Sequence, residues 1–276
     1  MYRFVASDMD ETFLNHNHSI PEANIQAVYR LKELGVSFVP CSGRPYDSVV
    51  GSLEPIRDCL DYVISYNGAC INRIGENDPI QAHGMPFSTI QTLFKHGVEI
   101  GIGMHVYQMD GRVWCWQLDD SELHRIDGLM NIALLSSPSI DFLEDVPMAK
   151  ILYYSPSDER LHAEAAAMAN MLPANVATTF SSGRYLEFVR SDIDKGTGIA
   201  DLAHMLHVSL DDVIACGDAP NDDAMIQAAG VGVVVSNADP QTAALASYRA
   251  QASCDDGVLA EVLKHFIEPQ HHSNQA

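Results

Sequence analysis

Closely spaced carboxylates occur at two points of the sequence. Asp8 and Asp10 follow the apolar run YRFVAS, and the segment GDAPND carries Asp218 and Asp222. Residues i and i+2 of an extended segment point the same way, so Asp8 and Asp10 can face one pocket. Clustered carboxylates are costly to desolvate, and a hard cation offsets that cost. Oxygen ligands favour Mg²⁺, and no HExxH motif or Cys/His cluster indicates zinc.

These residue types fit phosphoryl transfer. An aspartate can attack phosphorus and form an acyl phosphate. A second carboxylate two residues further on can protonate the departing alcohol and then deprotonate a water. The transferred phosphoryl group also needs its oxygens held. Suitable groups for that task are Ser42, the backbone amide of Gly43, Lys195 and Asn221.

The elements around these residues predict why they meet. Short apolar segments alternate with helical ones in the first and last thirds of the chain, which is typical of a parallel sheet with right-handed crossovers. Ligands bind beyond the carboxyl ends of such strands. Candidate groups follow the predicted strands YRFVAS, VSFVPC and DDVIACG, Asn67 ends DYVISYN, the third strand along the chain, and Lys195 opens the helix before DDVIACG. The segment SIPE resembles a capping box and predicts Ser19 as the N-cap of the first helix.

The middle of the chain has a different pattern. GMHVYQMDGRVWCWQL predicts a hairpin that turns at Asp110-Gly111, and further strands and a helix follow. About a hundred residues cannot form a structureless loop. The predicted fold class is therefore α/β, with a Rossmann-like parallel-sheet core of residues 1–83 and 192–276. An inserted α+β domain of residues 84–191 divides that core.

Charge and cysteine content exclude several classes of protein. The 16 basic and 37 acidic residues give a net charge of −21, which repels nucleic acid and anionic membranes. The six cysteines are scattered without a CxxC pair, as expected of core thiols in a reducing compartment. No apolar stretch approaches the length of a membrane span. We therefore expect a cytoplasmic protein with a small-molecule partner; the sequence does not indicate an oligomeric state.

Five motifs in order carry a resemblance to a known family. DMDET, CSGRP, NGA, the isolated Lys195 and GDAPND resemble the motifs of the haloacid dehalogenase superfamily, and the best match is its Cof-type phosphatases with a large α+β cap. The resemblance covers nearly the whole chain. It implies a Mg²⁺-dependent phosphatase that hydrolyses phosphomonoesters of small metabolites, sugar phosphates or related organophosphates, through an aspartyl-phosphate intermediate.

The resemblance also implies a role for each motif residue. Asp8 would be the nucleophile and Asp10 the general acid/base. The Asp8 carboxylate, the Asp10 backbone carbonyl and Asp218 would hold Mg²⁺, and Thr12 and Asp222 would support the site. The implied phosphate-binding residues are Met9, Ser42, Gly43, Lys195 and Asn221.

Glu11 departs from the family pattern, which most often has glycine at this position. If that glycine serves a positive φ angle, Glu11 would be strained. We expect instead that its side chain turns outward. Two other assignments stay open from the residues alone, because Arg44 could reach substrate or form an ion pair, and Trp114 and Trp116 could line a pocket or pack within the cap.

Two alternative functions remain. A phosphoryl-accepting signalling module also gathers aspartates, a hydroxyl and a lysine around Mg²⁺, but the pairing of Asp8 with Asp10 and the large insert do not fit it. A phosphomutase of the same superfamily would return the phosphoryl group to a substrate rather than to water. The position of the insert after the third strand favours hydrolysis.

Overall fold

The computed structural model describes residues 1–76, 78–128 and 130–273. The chain divides into two compact units, one formed by Met1–Gln81 with Ile193–Ala276 and one by Ala82–Asp192. The boundaries predicted from the sequence, 83/84 and 191/192, differ from this division by two residues and one residue. That the inserted unit acts as a cap remains a prediction.

The first segment of the larger unit alternates short strands with helices. Its elements are β1 (Phe4–Ser7), α1 (Glu22–Glu33), β2 (Ser37–Pro40), α2 (Tyr46–Ser52), β3 (Tyr62–Ser65), β4 (Cys70–Arg73) and β5 (Gln81–Ala82). Asp8 follows β1, and the next segment, Met9–Phe13, is an irregular turn in which Asp10 has an extended backbone and Glu11 a left-handed one.

The inserted unit is built on a six-stranded sheet. Its elements are α3 (Phe87–Glu99), β6 (Gly103–Gln108), β7 (Arg112–Trp116), α4 (Asp120–Ile126), β8 (Asn131–Leu134), β9 (Met148–Tyr154), α5 (Asp158–Met168), β10 (Val176–Ser181) and β11 (Tyr185–Arg190). The strand order is β10-β11-β9-β6-β7-β8. The hairpin of β6 and β7 is antiparallel and turns at Gly111, whose φ of 89° suits glycine. Trp114 and Trp116 pack against the hydrophobic core of this unit.

The second segment of the larger unit returns to alternating strands and helices. Its elements are α6 (Lys195–Met205), β12 (Val213–Gly217), α7 (Asp223–Ala228), β13 (Val231–Val234), α8 (Pro240–Ala243), β14 (Tyr248–Arg249), α9 (Val258–Val262) and α10 (Glu268–Ser273). A π-helical turn, Leu263–Ile267, joins the last two helices.

The two segments share one parallel sheet with the strand order β14-β13-β12-β1-β2. The central strand β1 pairs with β12 on one side and with β2 on the other. Val5 packs into a core cluster on one face, and Phe4 and Ala6 pack into another cluster. The sheet is therefore buried on both faces, as parallel sheets require. The predicted fold class is confirmed: a Rossmann-like core with an α+β insertion.

Three expectations about local features can be compared with the structure. The capping box at Ser19 is wrong, because α1 begins at Glu22 after Pro21, and no side chain caps it. Ser19 instead donates its backbone N–H to Asn15 Oδ1 over 3.0 Å, which holds it in the preceding turn. The six cysteines are all free and buried. Among the described residues, no helix is long and apolar enough to cross a membrane.

Candidate active site

The carboxyl end of β1 places Asp8 at the middle of the parallel sheet. The Asp8 backbone N–H donates to the carbonyl of Cys216 over 2.9 Å, which continues the pairing of β1 with β12 past the last strand residue. The residue is 8% exposed. Its position follows from the apolar run before it, since β1 must be buried between two strands and the first polar residue emerges at the sheet edge.

The neighbouring strand β12 brings two more carboxylates to the same edge. Asp218 follows Gly217 directly, and the turn Pro220–Asp222 directs the Asp222 side chain back toward the strand end. Asp222 Oδ2 accepts the backbone N–H groups of Asp218, over 2.9 Å, and Ala219, over 3.2 Å. A Cβ atom at position 217 would lie 2.5 Å from the Asp222 Cβ, so only glycine leaves room for this carboxylate.

Lys195 supplies a positive charge between two of these acids. It is the first residue of α6, and Asp194 caps that helix by accepting the Thr197 N–H over 2.7 Å. The Lys195 side chain is fully buried. Its Nζ donates to Asp222 Oδ1 over 2.7 Å and also contacts Asp8 Oδ1. The lysine therefore holds the Asp8 and Asp222 carboxylates in fixed positions.

Burial and charge shift the pKa values of this group. Burial raises the pKa of Asp8 to about 7, because the opposing effect of Lys195 is smaller than the desolvation of the carboxylate. Burial likewise raises the pKa of Asp218, although the hydroxyl of Thr12, which donates to its Oδ1 over 2.6 Å, favours the ionised form. Burial alone would lower the pKa of Lys195, but Asp8 and Asp222 outweigh it and the pKa is raised.

The donor set fits a hard divalent cation. Asp8, Asp218 and Asp222 each offer a carboxylate oxygen within 4.8 Å of the others. When all three carboxylates are ionised, they and the Lys195 ammonium leave two uncompensated negative charges, which a divalent ion would balance. Both Asp222 oxygens already accept hydrogen bonds. In the described chain, Oδ2 of Asp8 and Oδ2 of Asp218 accept none, which leaves these two oxygens able to bind a hard cation.

Among the described residues, Asp10 is not one of the three aspartates that gather within 4.8 Å of one another. That Asp10 faces one pocket with Asp8 remains a prediction. The Asp10 carboxylate pairs with Arg44, whose Nε donates to Oδ2 over 2.9 Å and whose second nitrogen contacts Oδ1. His18 Nδ1 lies 3.1 Å from the same Oδ1. β1 ends at Ser7, so Asp8 and Asp10 lie beyond the strand, where the backbone is irregular. Arg44 thus forms an ion pair, one of its two expected roles.

The structure places the predicted phosphate-binding residues near strand ends without joining them to the carboxylates. Ser42 is buried just after β2, and its Oγ accepts the Arg44 N–H over 3.2 Å. Gly43 lies under the Asn67 amide, whose Oδ1 would be 3.0 Å from a Cβ at that position. Among the described residues, no hydrogen bond links the acidic cluster to Met9, Ser42, Gly43 or Asn221. Met9 is buried, and Asn221 is exposed in the turn Pro220–Asp222.

Glu11 has both the positive φ angle and the outward-facing side chain that were considered from the sequence. Its φ is 57° and its ψ is 11°, so it has the left-handed conformation that favours glycine. Its side chain is nevertheless exposed, as expected. The Glu11 carbonyl accepts the Asn237 side-chain amide over 3.1 Å. No sequence motif indicated Asn237 or His18, because both contacts depend on turns whose shape no motif encodes.

Comparisons with known proteins cover nearly the entire chain. Residues 5–262 match the family described as haloacid dehalogenase-like hydrolase. One relative is YxeH from Bacillus subtilis, which is named as a phosphatase on a provisional basis. It is 26% identical over 94% of this chain and 96% of its own. The HMP-PP phosphatase of Yersinia enterocolitica is 27% identical over 98% of this chain and 97% of its own.

Solved structures share the fold. A haloacid dehalogenase-like hydrolase from Bacteroides thetaiotaomicron superposes with a TM-score of 0.81 at 25% identity and covers 96% of this chain and 100% of its own. TM0651 from Thermotoga maritima superposes with a TM-score of 0.85 at 22% identity and covers 96% of this chain and 98% of its own.

Proposed function

The chain belongs to the haloacid dehalogenase-like hydrolase family as a phosphatase of the Cof type, and from this premise we propose that it hydrolyses phosphomonoesters of small metabolites through an aspartyl-phosphate on Asp8. One observation carries the proposal. Asp8 lies buried at the end of the central strand, in contact with a buried lysine and within reach of two further carboxylates.

Asp8 acts as the nucleophile in this proposal. A carboxylate oxygen forms a bond to phosphorus, the ester oxygen leaves, and water then cleaves the acyl phosphate to give inorganic phosphate. Lys195 fixes the carboxylate and offsets negative charge when a phosphate dianion approaches. Ser42, Gly43, Asn221 and the backbone amide of Met9 are proposed to hold the phosphoryl oxygens; they are donors at the same sheet edge.

Asp10 is proposed as the general acid for the leaving alcohol and the general base for the hydrolytic water. Both of its carboxylate oxygens are engaged by Arg44 in this structure. Proton transfer therefore requires that Asp10 turn away from Arg44 when substrate binds. The exposure of this carboxylate, 40%, leaves it room to do so.

Asp8 and Asp218, with the Asp10 carbonyl, are proposed to hold Mg²⁺, and Thr12 and Asp222 to support them. When bound, the ion would neutralise charge on the phosphoryl oxygens and on the clustered carboxylates. Removal of divalent ions with EDTA is expected to abolish turnover, and Mg²⁺ is expected to restore it.

The proposed substrates are sugar phosphates or related small organophosphates. The support is indirect: a relative acts on HMP-PP, and the net charge of −21 disfavours nucleic acid as a substrate. We also propose a cytoplasmic location, which the six free cysteines support.

The proposal is tested with p-nitrophenyl phosphate and Mg²⁺, followed by a screen of phosphorylated metabolites. Repeated turnover is expected for the unmodified chain, and Asp8→Asn is expected to lower kcat by at least about 10³, or about 4 kcal/mol. Asp211→Asn, which changes an exposed aspartate outside the site, is the matched control. A single stoichiometric phosphorylation would indicate a signalling module. Phosphate release that depends on a hexose bisphosphate would indicate a mutase. Near-normal activity of Asp8→Asn would refute the nucleophile.

A further inference from the structure

Three residues from distant parts of the sequence meet on the larger unit, away from the acidic cluster. His16 lies in the turn after Met9–Phe13, and Cys254 and Asp255 lie in the turn before α9. His16 Nδ1 is 3.0 Å from Asp255 Oδ2 and 3.4 Å from Cys254 Sγ. All three candidate ligand atoms lie within 4.8 Å of one another. The sequence did not indicate a Cys/His site because 238 residues separate His16 from Cys254.

The geometry distinguishes a ligand set from a proton relay. In a relay, the nucleophile and the carboxylate contact opposite nitrogens of the imidazole, so that a proton can cross the ring. Here the thiol and the carboxylate both approach Nδ1. Such a convergence cannot pass a proton through the ring. It instead brings a nitrogen, a sulfur and an oxygen close enough together to coordinate one metal ion.

The spacing suits a tetrahedral ion. Zinc lies about 2.0–2.1 Å from nitrogen, about 2.3 Å from sulfur and about 2.0–2.2 Å from a carboxylate oxygen, so tetrahedral ligand atoms are separated by roughly 3.4–3.6 Å. The observed separations of 3.4 Å and 3.0 Å need only small adjustments. The side chains of His16 and Asp255 are 54% and 55% exposed, which leaves the fourth corner open to water.

Ligand chemistry separates this group from the proposed magnesium site. Thiolate and imidazole select borderline ions such as Zn²⁺, whereas an all-oxygen set selects Mg²⁺. The group is also supported by its surroundings. Asn237 Oδ1 accepts the Cys254 N–H over 2.9 Å, and Asp255 Oδ1 accepts the His16 N–H over 3.3 Å. Cys254 is fully buried, so the metal-facing sulfur would be shielded from bulk water on its other side.

We propose that His16, Cys254 and Asp255 form a second metal site, which binds Zn²⁺ or a similar transition ion through Nδ1, Sγ and a carboxylate oxygen. The thiol loses its proton to solvent on binding, and the thiolate forms the bond to the ion. The bound ion links the turn after the nucleophile strand to the turn before α9. Because it binds the folded state, it also stabilises the larger unit.

The test measures metal binding directly and does not depend on phosphatase activity. The full chain is stripped with a chelator and titrated with Zn²⁺, and with Co²⁺ as a spectroscopic probe, in an Asp218→Asn background that weakens the acidic site. We expect one tightly bound Zn²⁺ per chain and a thiolate-to-cobalt charge-transfer band. Cys254→Ser and His16→Ala are each expected to lose more than the roughly 100-fold in affinity that removal of an outer-shell partner costs.

Cys59→Ser and His204→Ala serve as matched controls, since they change a second buried cysteine and an exposed histidine elsewhere in the larger unit. Both are expected to bind normally. Because His16 is exposed, its variant keeps the test decisive even if Cys254→Ser fails to fold. Unchanged affinity in His16→Ala, absence of a thiolate band, or no binding of Zn²⁺ in the Asp218→Asn chain would overturn the second site. An Asp218→Asn chain that binds one Zn²⁺ with a thiolate-to-cobalt band would support the second site even if the unmodified chain showed no phosphatase activity, which would count against the phosphatase proposal alone.

Discussion

Lys195→Met is expected to destabilise the larger unit by about 3–5 kcal/mol in the absence of divalent ions. The ammonium is fully buried, lies 2.7 Å from Asp222 and contacts Asp8. Two unit charges at 2.7 Å interact by about 6 kcal/mol at an effective dielectric constant of about 20. Part of this attraction only offsets the desolvation of the lysine. Removing one member of a buried ion pair typically costs about 3–5 kcal/mol, because the remaining charges lose their partner.

A double-mutant cycle isolates the ion pair from the change in packing. Asp222→Asn removes one of the two carboxylates that Lys195 contacts. The double variant should therefore be less destabilised than the sum of the single variants, by about 1–3 kcal/mol. Methionine keeps a long unbranched side chain at position 195, so little of the loss is expected to come from a cavity.

The cycle is measured by urea unfolding in EDTA with two probes. Far-UV circular dichroism follows both units, whereas tryptophan fluorescence follows the inserted unit, because both tryptophans of the sequence, Trp114 and Trp116, belong to it. The fluorescence transition should stay at the same urea concentration if Lys195→Met destabilises only the larger unit. A loss below about 1 kcal/mol, the range of an exposed pair, would refute the reasoning. Additive losses in the double variant would refute it as well.

Three further predictions concern single groups. Asp10→Asn should lower kcat for an alkyl phosphate by about 10²–10⁴. It should slow the single-turnover release of p-nitrophenol less, because that leaving group needs less protonation. Equal losses for the two substrates would contradict an acid role. Burial lowers the pKa of His105 to about 4 in the folded state. Between about pH 6.5 and 4, the imidazole is therefore protonated in the unfolded state but mostly neutral in the folded state. The free energy of unfolding of the inserted unit should therefore fall by up to about 3 kcal/mol as pH falls through this window. In the His105→Gln variant, unfolding followed by fluorescence should depend less on pH. Glu11→Gly should be about 1 kcal/mol more stable than Glu11→Ala in thermal unfolding, because φ at this position is 57°; the reverse order would contradict strain.

The sequence predicted the parallel core because local and global signals agree there. Each apolar run of four or five residues is a buried strand, and the first polar residues after it emerge at one sheet edge. That rule predicted the meeting of Asp8 and Asp218 without any knowledge of the sheet order, whereas Lys195 opens helix α6 and was indicated by the family motifs. The order itself, with β1 in the centre, depends on pairings between distant strands that apolar patterns do not encode.

The features that the sequence did not predict concern turns and packing. Asp10 lies beyond the end of β1 and pairs with Arg44, a contact that the apolar pattern does not encode. The sequence interpretation also gave no helix at α3, although Ile90, Leu93 and Phe94 recur with helical spacing. Gly97 interrupts that apolar stripe. A side chain there would collide with Met104, so the glycine serves packing against β6 rather than marking a helix end.

The central position of β1 has a consequence for the newborn polypeptide. Phe4 pairs with Val213, so this strand leaves the ribosome about 200 residues before one of its two neighbours. At about 5–20 residues per second, the edge of β1 that pairs with β12 stays unpaired for about ten to forty seconds. During that interval the segment ending in Asp8 is open to wrong pairing and to capture by chaperones. A chain truncated before residue 213 would therefore contain Asp8 but lack Lys195's partner Asp222 and the strand β12 that pairs with β1.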